Sequence, residues 1–244
     1  MSKELHTNSQ EEKKKIDYLG IGRMLYQRGY YREALEPLKR ALKTNDKSVW
    51  IYTMLGDVYC KLGHNTTSLH YYLNGLDINP EDSNLLFKLG NFYHDHELYT
   101  SSIDCFKKVK KLDPKHPWVD LSMADTYYCL NYEKKAKEHY FKAGKWLKLL
   151  IKGNIDDGDI FNLGHVYERL YQLSDKIKLL EKAKETFLLY LDKCPEDAYA
   201  HNRIGYIYCD LNDKESAQDC HQELEKMNKE LSDDLDEYIA ICFN

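Results

Sequence analysis

The sequence predicts an all-α chain in which antiparallel helix pairs stack into an α-solenoid, closed by a capping helix at the C-terminus. Three observations carry that expectation. A five-residue signature returns at a fixed interval. Between its returns the apolar residues fall at i, i+3, i+4 and i+7, which is one stripe of a helix. The 244 residues hold only 5 Pro and 12 Gly and no polar–apolar alternation that reads as a strand, so a loop-rich all-β fold is disfavoured.

The signature is Leu55-Gly56-Asp57-Val58-Tyr59, repeated as Leu89-Gly90-Asn91-Phe92-Tyr93, Leu163-Gly164-His165-Val166-Tyr167 and Ile204-Gly205-Tyr206-Ile207-Tyr208. Weaker copies begin at Ile21 and Met123. The first three steps, from 21 to 55 to 89 to 123, are 34 residues each; the next two are 40 and 41. A fixed period of this length implies one supersecondary unit used repeatedly. The repeats run 15–48, 49–82, 83–116, 117–156, 157–197 and 198–230, and residues 231–244 read as the cap. Residues 1–14 are polar, carry both charge signs and read as a flexible tail.

Each element has a local reason. A small residue in the signature (Gly56, Gly90) is followed twelve residues later by another (Ser68, Ser102), and small side chains let two helices approach closely. Proline ends the second helix and sits where the next one starts: Pro80-Glu81-Asp82 returns as Pro195-Glu196-Asp197. One helix pair cannot bury its own stripe, so neighbouring pairs must stack.

Thirty-four residues with Tyr52, Leu55, Gly56, Tyr59, Ser68, Tyr72, Gly75 and Pro80 in one repeat, and Leu86, Leu89, Gly90, Tyr93, Ser102, Phe106, Val109 and Pro114 in the next, resemble the tetratricopeptide repeat (TPR). The resemblance covers about residues 15–230 and implies a right-handed superhelix of helix pairs that binds proteins. Repeats four and six depart from the pattern, with Asp120, His201 and His221 at positions that are normally apolar. Some members of the family clamp terminal carboxylates with Lys and Asn at positions five and nine of one repeat. No repeat here has that pair; Asn162 and Arg203 match only fragments of the clamp.

Repeats four and five carry extra residues. Those around Trp146–Ile151 imply a second helix continued by one to two turns, with an overhang bearing Trp146, Leu147, Leu149, Leu150 and Ile151. Those between Tyr171 and Leu180 imply a second helix that starts early, with Ser174 as its N-cap.

The first helices would line a concave face, and the side opposite their core stripe is unusually apolar. Trp50, Trp118 and Tyr199 occupy the second position of their repeats, and Phe87, Leu121 and Phe161 the fifth. Lys88, Asn91, Asn162, His165 and Arg203 lie between them. Apolar groups clustered on a concavity point to a binding surface. Carboxamides can hold a peptide backbone without reading its sequence, and Lys88 and Arg203 suit carboxylates. These eleven residues are the candidate partner-binding groove.

Charge sets the remaining bounds. The net charge is -5, which excludes a generic nucleic-acid binder. Residues 107–152 nevertheless hold 12 Lys against 5 Asp or Glu, a lysine-rich ridge expected on the second helices. The stretch Asp233-Asp234-Leu235-Asp236-Glu237 is acidic and could meet a basic ridge on another copy. The seven cysteines are odd in number and form no CxxC pair, so they read as free thiols in a reducing, cytoplasmic compartment. The Asn65-Thr66-Thr67 triplet is then idle. No apolar run approaches the length of a spanning helix, and no leader-like apolar segment opens the chain. Gly20-Ile21-Gly22 lacks the strand and third glycine of a phosphate loop, and His94-Asp95-His96 is not a zinc motif. No catalytic residue, metal site or cofactor is expected. The function expected is a non-enzymatic scaffold or adaptor that takes a partner peptide or helix in the groove. The alternatives are a structural subunit docking through the ridge or the cap, and a chaperone for one client protein.

Overall fold

The structure, a computed structural model, describes residues 16–45, 47–153 and 156–243. The tail expected at 1–14 lies outside them. The described residues form thirteen α-helices and no strand. In order these are α1 (Tyr18–Gln27), α2 (Tyr31–Thr44), α3 (Val49–Lys61), α4 (Asn65–Ile78), α5 (Ser83–Asp95), α6 (Tyr99–Leu112), α7 (Val119–Cys129), α8 (Glu133–Gly153), α9 (Asp157–Gln172), α10 (Ile177–Leu191), α11 (Ala198–Asp210), α12 (Lys214–Met227) and α13 (Lys229–Phe243). They divide into two units, one ending at Phe92 and the other starting at Tyr93.

The turn inside each helix pair is the same device. After α1, α3, α5 and α7, one residue takes the left-handed conformation: Gly29 (φ 79°), Gly63 (φ 76°), Glu97 (φ 61°) and Asn131 (φ 58°). These positions are 34 residues apart. Each turn is closed by a backbone bond that reaches back five residues, such as Tyr30 N–H to Leu25 O at 2.9 Å and Leu98 N–H to Tyr93 O at 2.8 Å, the Schellman arrangement. Asn212 (φ 62°) repeats it after α11. Several N-termini are capped by aspartate. Asp17, Asp156, Asp197 and Asp213 accept backbone N–H bonds from Gly20, Gly158, Ala200 and Ser216, satisfying donors that the helix leaves open.

In the first unit α1 packs on α2 and α3 on α4, around Ala34, Leu38, Ile51, Leu55 and Val58. Gly56 lies against Tyr72; a Cβ there would sit 2.3 Å from the ring. In the second unit α7 pairs with α8, α9 with α10 and α11 with α12. Phe106, Tyr140, Leu147, Ile160, Leu180, Phe187 and Ile204 are fully buried. Helix α13 lies on α11 and α12, with Leu235 against Gly205 and Tyr238 OH donating to Asp210 at 2.9 Å.

The two longer repeats behave differently. Helix α8 has 21 residues against 14 in α4 and α6, so the extra residues of repeat four lengthen its second helix. In repeat five the early start at Ser174 does not occur. The extra residues lengthen the first helix instead: α9 runs 16 residues to Gln172, and α10 starts at Ile177. Ser174 Oγ donates to Leu170 O at 2.5 Å, so it closes α9 and does not cap α10.

Candidate partner-binding surface

Pairs between successive first helices define the surface. In the first unit, Asp57 on α3 accepts Tyr72 OH at 2.6 Å and pairs with Lys88 on α5 at 3.1 Å. Burial, reinforced by the Asp57 charge, pushes the Tyr72 phenol far above its ordinary range and the Tyr26 phenol to about 12. Both phenols therefore remain donors.

The second unit repeats the motif. Asp125 on α7 accepts Tyr140 OH at 2.6 Å, and His165 Nε2 on α9 stands 3.2 Å from the same oxygen. In both units the aspartate is the ninth residue of its repeat and the tyrosine lies fifteen residues on. Next along, Arg203 on α11 forms a two-pronged pair with Glu168 on α9, its Nε 3.0 Å from Oε2. Glu168 is only 5% exposed. Arg169 lies over the Tyr128 ring, 4.7 Å from its centroid, and both residues bond Gln172.

This ladder overturns part of what the sequence predicts. Lys88 and Arg203 were expected to receive a ligand's carboxylates, but each already faces a carboxylate one repeat away. Leu121 was expected in the groove, yet it is 9% exposed and belongs to the core. Phe161 is half-buried against its own second helix, with ring centroids 5.3 Å from Phe187 and 5.2 Å from Tyr190.

The other candidates keep accessible surface. In the first unit Trp50 is 44% exposed, while Phe87 and Asn91 are half-buried. In the second, Tyr199 is 66% exposed, and Trp118, Asn162 and His165 are half-buried. The carboxamide of Asn162 has no hydrogen-bond partner among the described residues, although the His165–Asp125 and Arg203–Glu168 pairs adjoin its helix. Sequence reasoning does not anticipate the ladder, although its signal is present. An acid at position nine or twelve of one repeat faces a base at position six or nine of the next.

The lysine-rich segment lies on α6, the α6–α7 connection and α8. Lys107, Lys108, Lys111, Lys134, Lys135, Lys142, Lys145, Lys148 and Lys152 are exposed. Lys110 is turned inward to Asp120, which His139 Nδ1 also approaches at 2.7 Å. No group of three His, Cys, Asp or Glu among the described residues could hold a metal ion. No described helix is long and apolar enough to cross a membrane.

Fold and surface together define a helical-repeat protein, built from stacked antiparallel pairs and presenting the ladder on its first helices. The repeat type follows from comparison. A TPR repeat model matches residues 22–63 and a tetratricopeptide repeat model matches residues 83–116. The chain therefore contains tetratricopeptide repeats over these two stretches. It is 33% identical over 96 residues to tetratricopeptide repeat protein 8 of Mus musculus, a match covering 39% of this chain and 18% of that protein. The chain therefore matches only about a fifth of the length of that curated relative. It is 25% identical over 152 residues to photosystem I assembly protein Ycf3 of Cyanophora paradoxa, covering 61% of this chain and 82% of that protein. Among solved structures, the APC/C hetero-tetramer Cut9–Hcn1 superposes with a TM-score of 0.75 at 14% identity, over 93% of this chain and 42% of that one. That likeness concerns the fold alone.

Proposed function

We propose that the chain is a non-enzymatic scaffold whose first-helix face holds a peptide or helix of a protein partner. Tetratricopeptide-repeat proteins are in general interaction scaffolds, and no catalytic family is indicated. Within the second unit the contact set is Trp118, Asn162 and Tyr199; within the first it is Trp50, Phe87 and Asn91. One observation carries the reading. Asn162 offers an unpaired, half-buried carboxamide on a helix whose charged neighbours are already paired. A rigid polar frame with one unused amide suits a peptide backbone, which needs one donor and one acceptor. The exposed Tyr199 ring supplies an apolar anchor of the kind enriched at interfaces.

The ladder is the frame of that surface and not its recognition group. Because Arg203 and Lys88 are paired, a partner gains affinity from aromatic contact and backbone bonds more than from its own acids. Cys105, Cys129, Cys194, Cys209, Cys220 and Cys242 are free thiols, which suits the reducing cytoplasm we assign to the chain. Assembly of a larger complex is the second reading. It is favoured by the match to a protein named for assembly, over 82% of that protein's length.

Site-specific photo-crosslinking tests the proposal. A photoreactive phenylalanine is placed at Tyr199 on α11, or at Lys178 on the outer helix α10, in cells of the source organism. Adducts formed from position 199 and not from 178 support the first-helix face. Adducts from 178 alone contradict it.

A further inference from the structure

The long second helix of repeat four creates a cleft that the first-helix face does not use. Where α8 passes the α6–α7 connection, a cavity of about 250 Å³ opens. Pro114 and Pro117 on the connection, with Trp146 and Leu149 on α8, give it apolar walls. Lys115, Lys142 and Lys145 line it as well, and all three are exposed. The Trp146 indole N–H is buried and has no acceptor among the described residues. A buried donor without a partner is uncommon in a folded protein and calls for an explanation.

The charges around the cleft are not balanced from within. Asp120 is the one acid lining it, and it is already engaged by Lys110 and His139. Glu138 reaches Lys142 at 2.5 Å along the helix surface, an exposed i,i+4 pair worth little. Lys115 and Lys145 have no ion-pair partner among the described residues. The cleft therefore presents two or three ammonium groups and apolar walls, with the Trp146 indole and the His116 ring among its lining.

We propose that this cleft binds an acidic, partly apolar linear segment of a partner protein, with a carboxylate held between Lys115 and Lys145 and an apolar side chain against Trp146. A carboxylate is an acceptor only and suits a pair of exposed ammonium donors. The apolar walls demand a side chain beside it, which separates this ligand from a bare anion. The cavity volume admits one side chain with its carboxylate, not a folded surface. A long polyanion such as a nucleic acid is disfavoured by the net charge of -5. The site adds a second contact, independent of the first-helix face.

The test uses the full chain labelled with ¹⁵N, whose three tryptophans give separate indole N–H resonances. Trp146→Phe assigns the relevant one. The probe is an acetylated peptide, Leu-Glu-Glu-Leu-Glu-Asp-amide; its control has Gln and Asn in place of the acids. The acidic peptide should shift the Trp146 resonance in a saturable way and leave those of Trp50 and Trp118 in place. The control should not. The double variant Lys115→Glu, Lys145→Glu, checked for native helicity by circular dichroism, should bind at least about tenfold more weakly, since charge-assisted bonds are the strong ones. A Trp146 resonance unmoved by the peptide overturns the proposal, as does equal binding by the double variant. A resonance that moves on simple dilution gives the cleft to the acidic α13 of a second copy. One that moves only with phosphatidylserine vesicles gives it to a membrane. Either result overturns the assignment to a partner's segment.

Discussion

Replacing Gly56 with alanine sets helix propensity directly against packing. In an open helix the change stabilises by roughly 1 kcal/mol, because glycine is the poorer helix former. Here the new Cβ would lie 2.3 Å and 2.4 Å from two ring carbons of Tyr72, which no unstrained contact allows. The ring cannot swing away freely, because its hydroxyl is bonded to Asp57 at 2.6 Å and its edge meets Phe92 at a centroid distance of 5.9 Å. Overpacking of this kind costs about 1–3 kcal/mol. Losing the bond to the Asp57 carboxylate costs a further 1.5–3 kcal/mol or so, being charge-assisted. The net expectation is destabilisation by about 1.5–5 kcal/mol. A chain of this size loses roughly 2–4 °C of Tm per kcal/mol, so Tm should fall by about 3–20 °C. Gly144→Ala is the matched control. Its Cβ meets the Val166 methyl at 3.1 Å and the Leu163 methyl at an ordinary 4.0 Å, so propensity should nearly offset crowding and Tm should change by under about 3 °C. Thermal unfolding followed by circular dichroism measures both. An unchanged or higher Tm for Gly56→Ala would refute the packing argument, since propensity would then have won.

Other outcomes follow from the same geometry. Glu97 holds a left-handed φ of 61° where two sister turns have glycine; Glu97→Gly should raise stability by about 1 kcal/mol, read as a higher urea midpoint at unchanged slope. Arg203→Ala leaves the buried Glu168 carboxylate without its partner and should cost about 3 kcal/mol. The double variant with Glu168→Gln should recover part of that loss, and strict additivity in the double-mutant cycle would deny the pair. Burial of Asp120 opposes its ionisation, but bonds from His139 and Lys110 outweigh burial and hold its carboxyl below the usual range. Its folded pKa is depressed, so the stability it contributes is present above the ordinary carboxylate range and is lost as pH falls through the folded value. Between pH 7 and pH 3 the wild type should therefore lose more Tm than Asp120→Asn. Burial, the leading cause, pushes the Cys209 and Cys220 thiols up to about 12 and Cys105 to about 11. Iodoacetamide at pH 8 should modify exposed Cys129 and Cys242 first, which peptide mapping over time will show.

Much of the fold is legible in the sequence because one local rule recurs along the chain. The Gly56–Tyr72 approach and the small residues Ser68 and Ser102, both fully buried, sit at fixed places in the 34-residue period, so the spacing alone points to them. The lengthening of α8 also follows from residue count, since its apolar stripe continues through Leu147 and Leu150. Repeat five departs from expectation because Ser174 has two uses. A serine can cap the helix that follows or bond back four residues to the helix that precedes. Tyr171 and Leu173 extend the stripe of α9 far enough to decide for the second. Asp175 then takes a left-handed φ of 50° and delays α10. The surface is harder to read, because its charged residues are paired across 31 to 40 residues of sequence. Composition shows Lys88, His165 and Arg203 as available bases. Only their registration against Asp57, Asp125 and Glu168 shows them spent. Leu121 falls outside the groove for a related reason. Position five of a first helix borders both the core and the open face, and the packing of the neighbouring repeat decides between them.

The account rests most heavily on the first-helix face as the place where a partner is held. Quantitative capture from native lysate with three baits tests it: wild type, Asn162→Ala with Tyr199→Ala, and Lys108→Glu with Lys111→Glu on α6. All three should retain wild-type helicity, since the altered side chains are exposed or unpaired. A partner recovered by the wild type and the lysine variant, and depleted at least about tenfold by the Asn162 and Tyr199 variant, is the result expected of an anchored interface. A partner that survives that variant and is lost with the lysine variant would contradict the account and move the binding surface to the second helices.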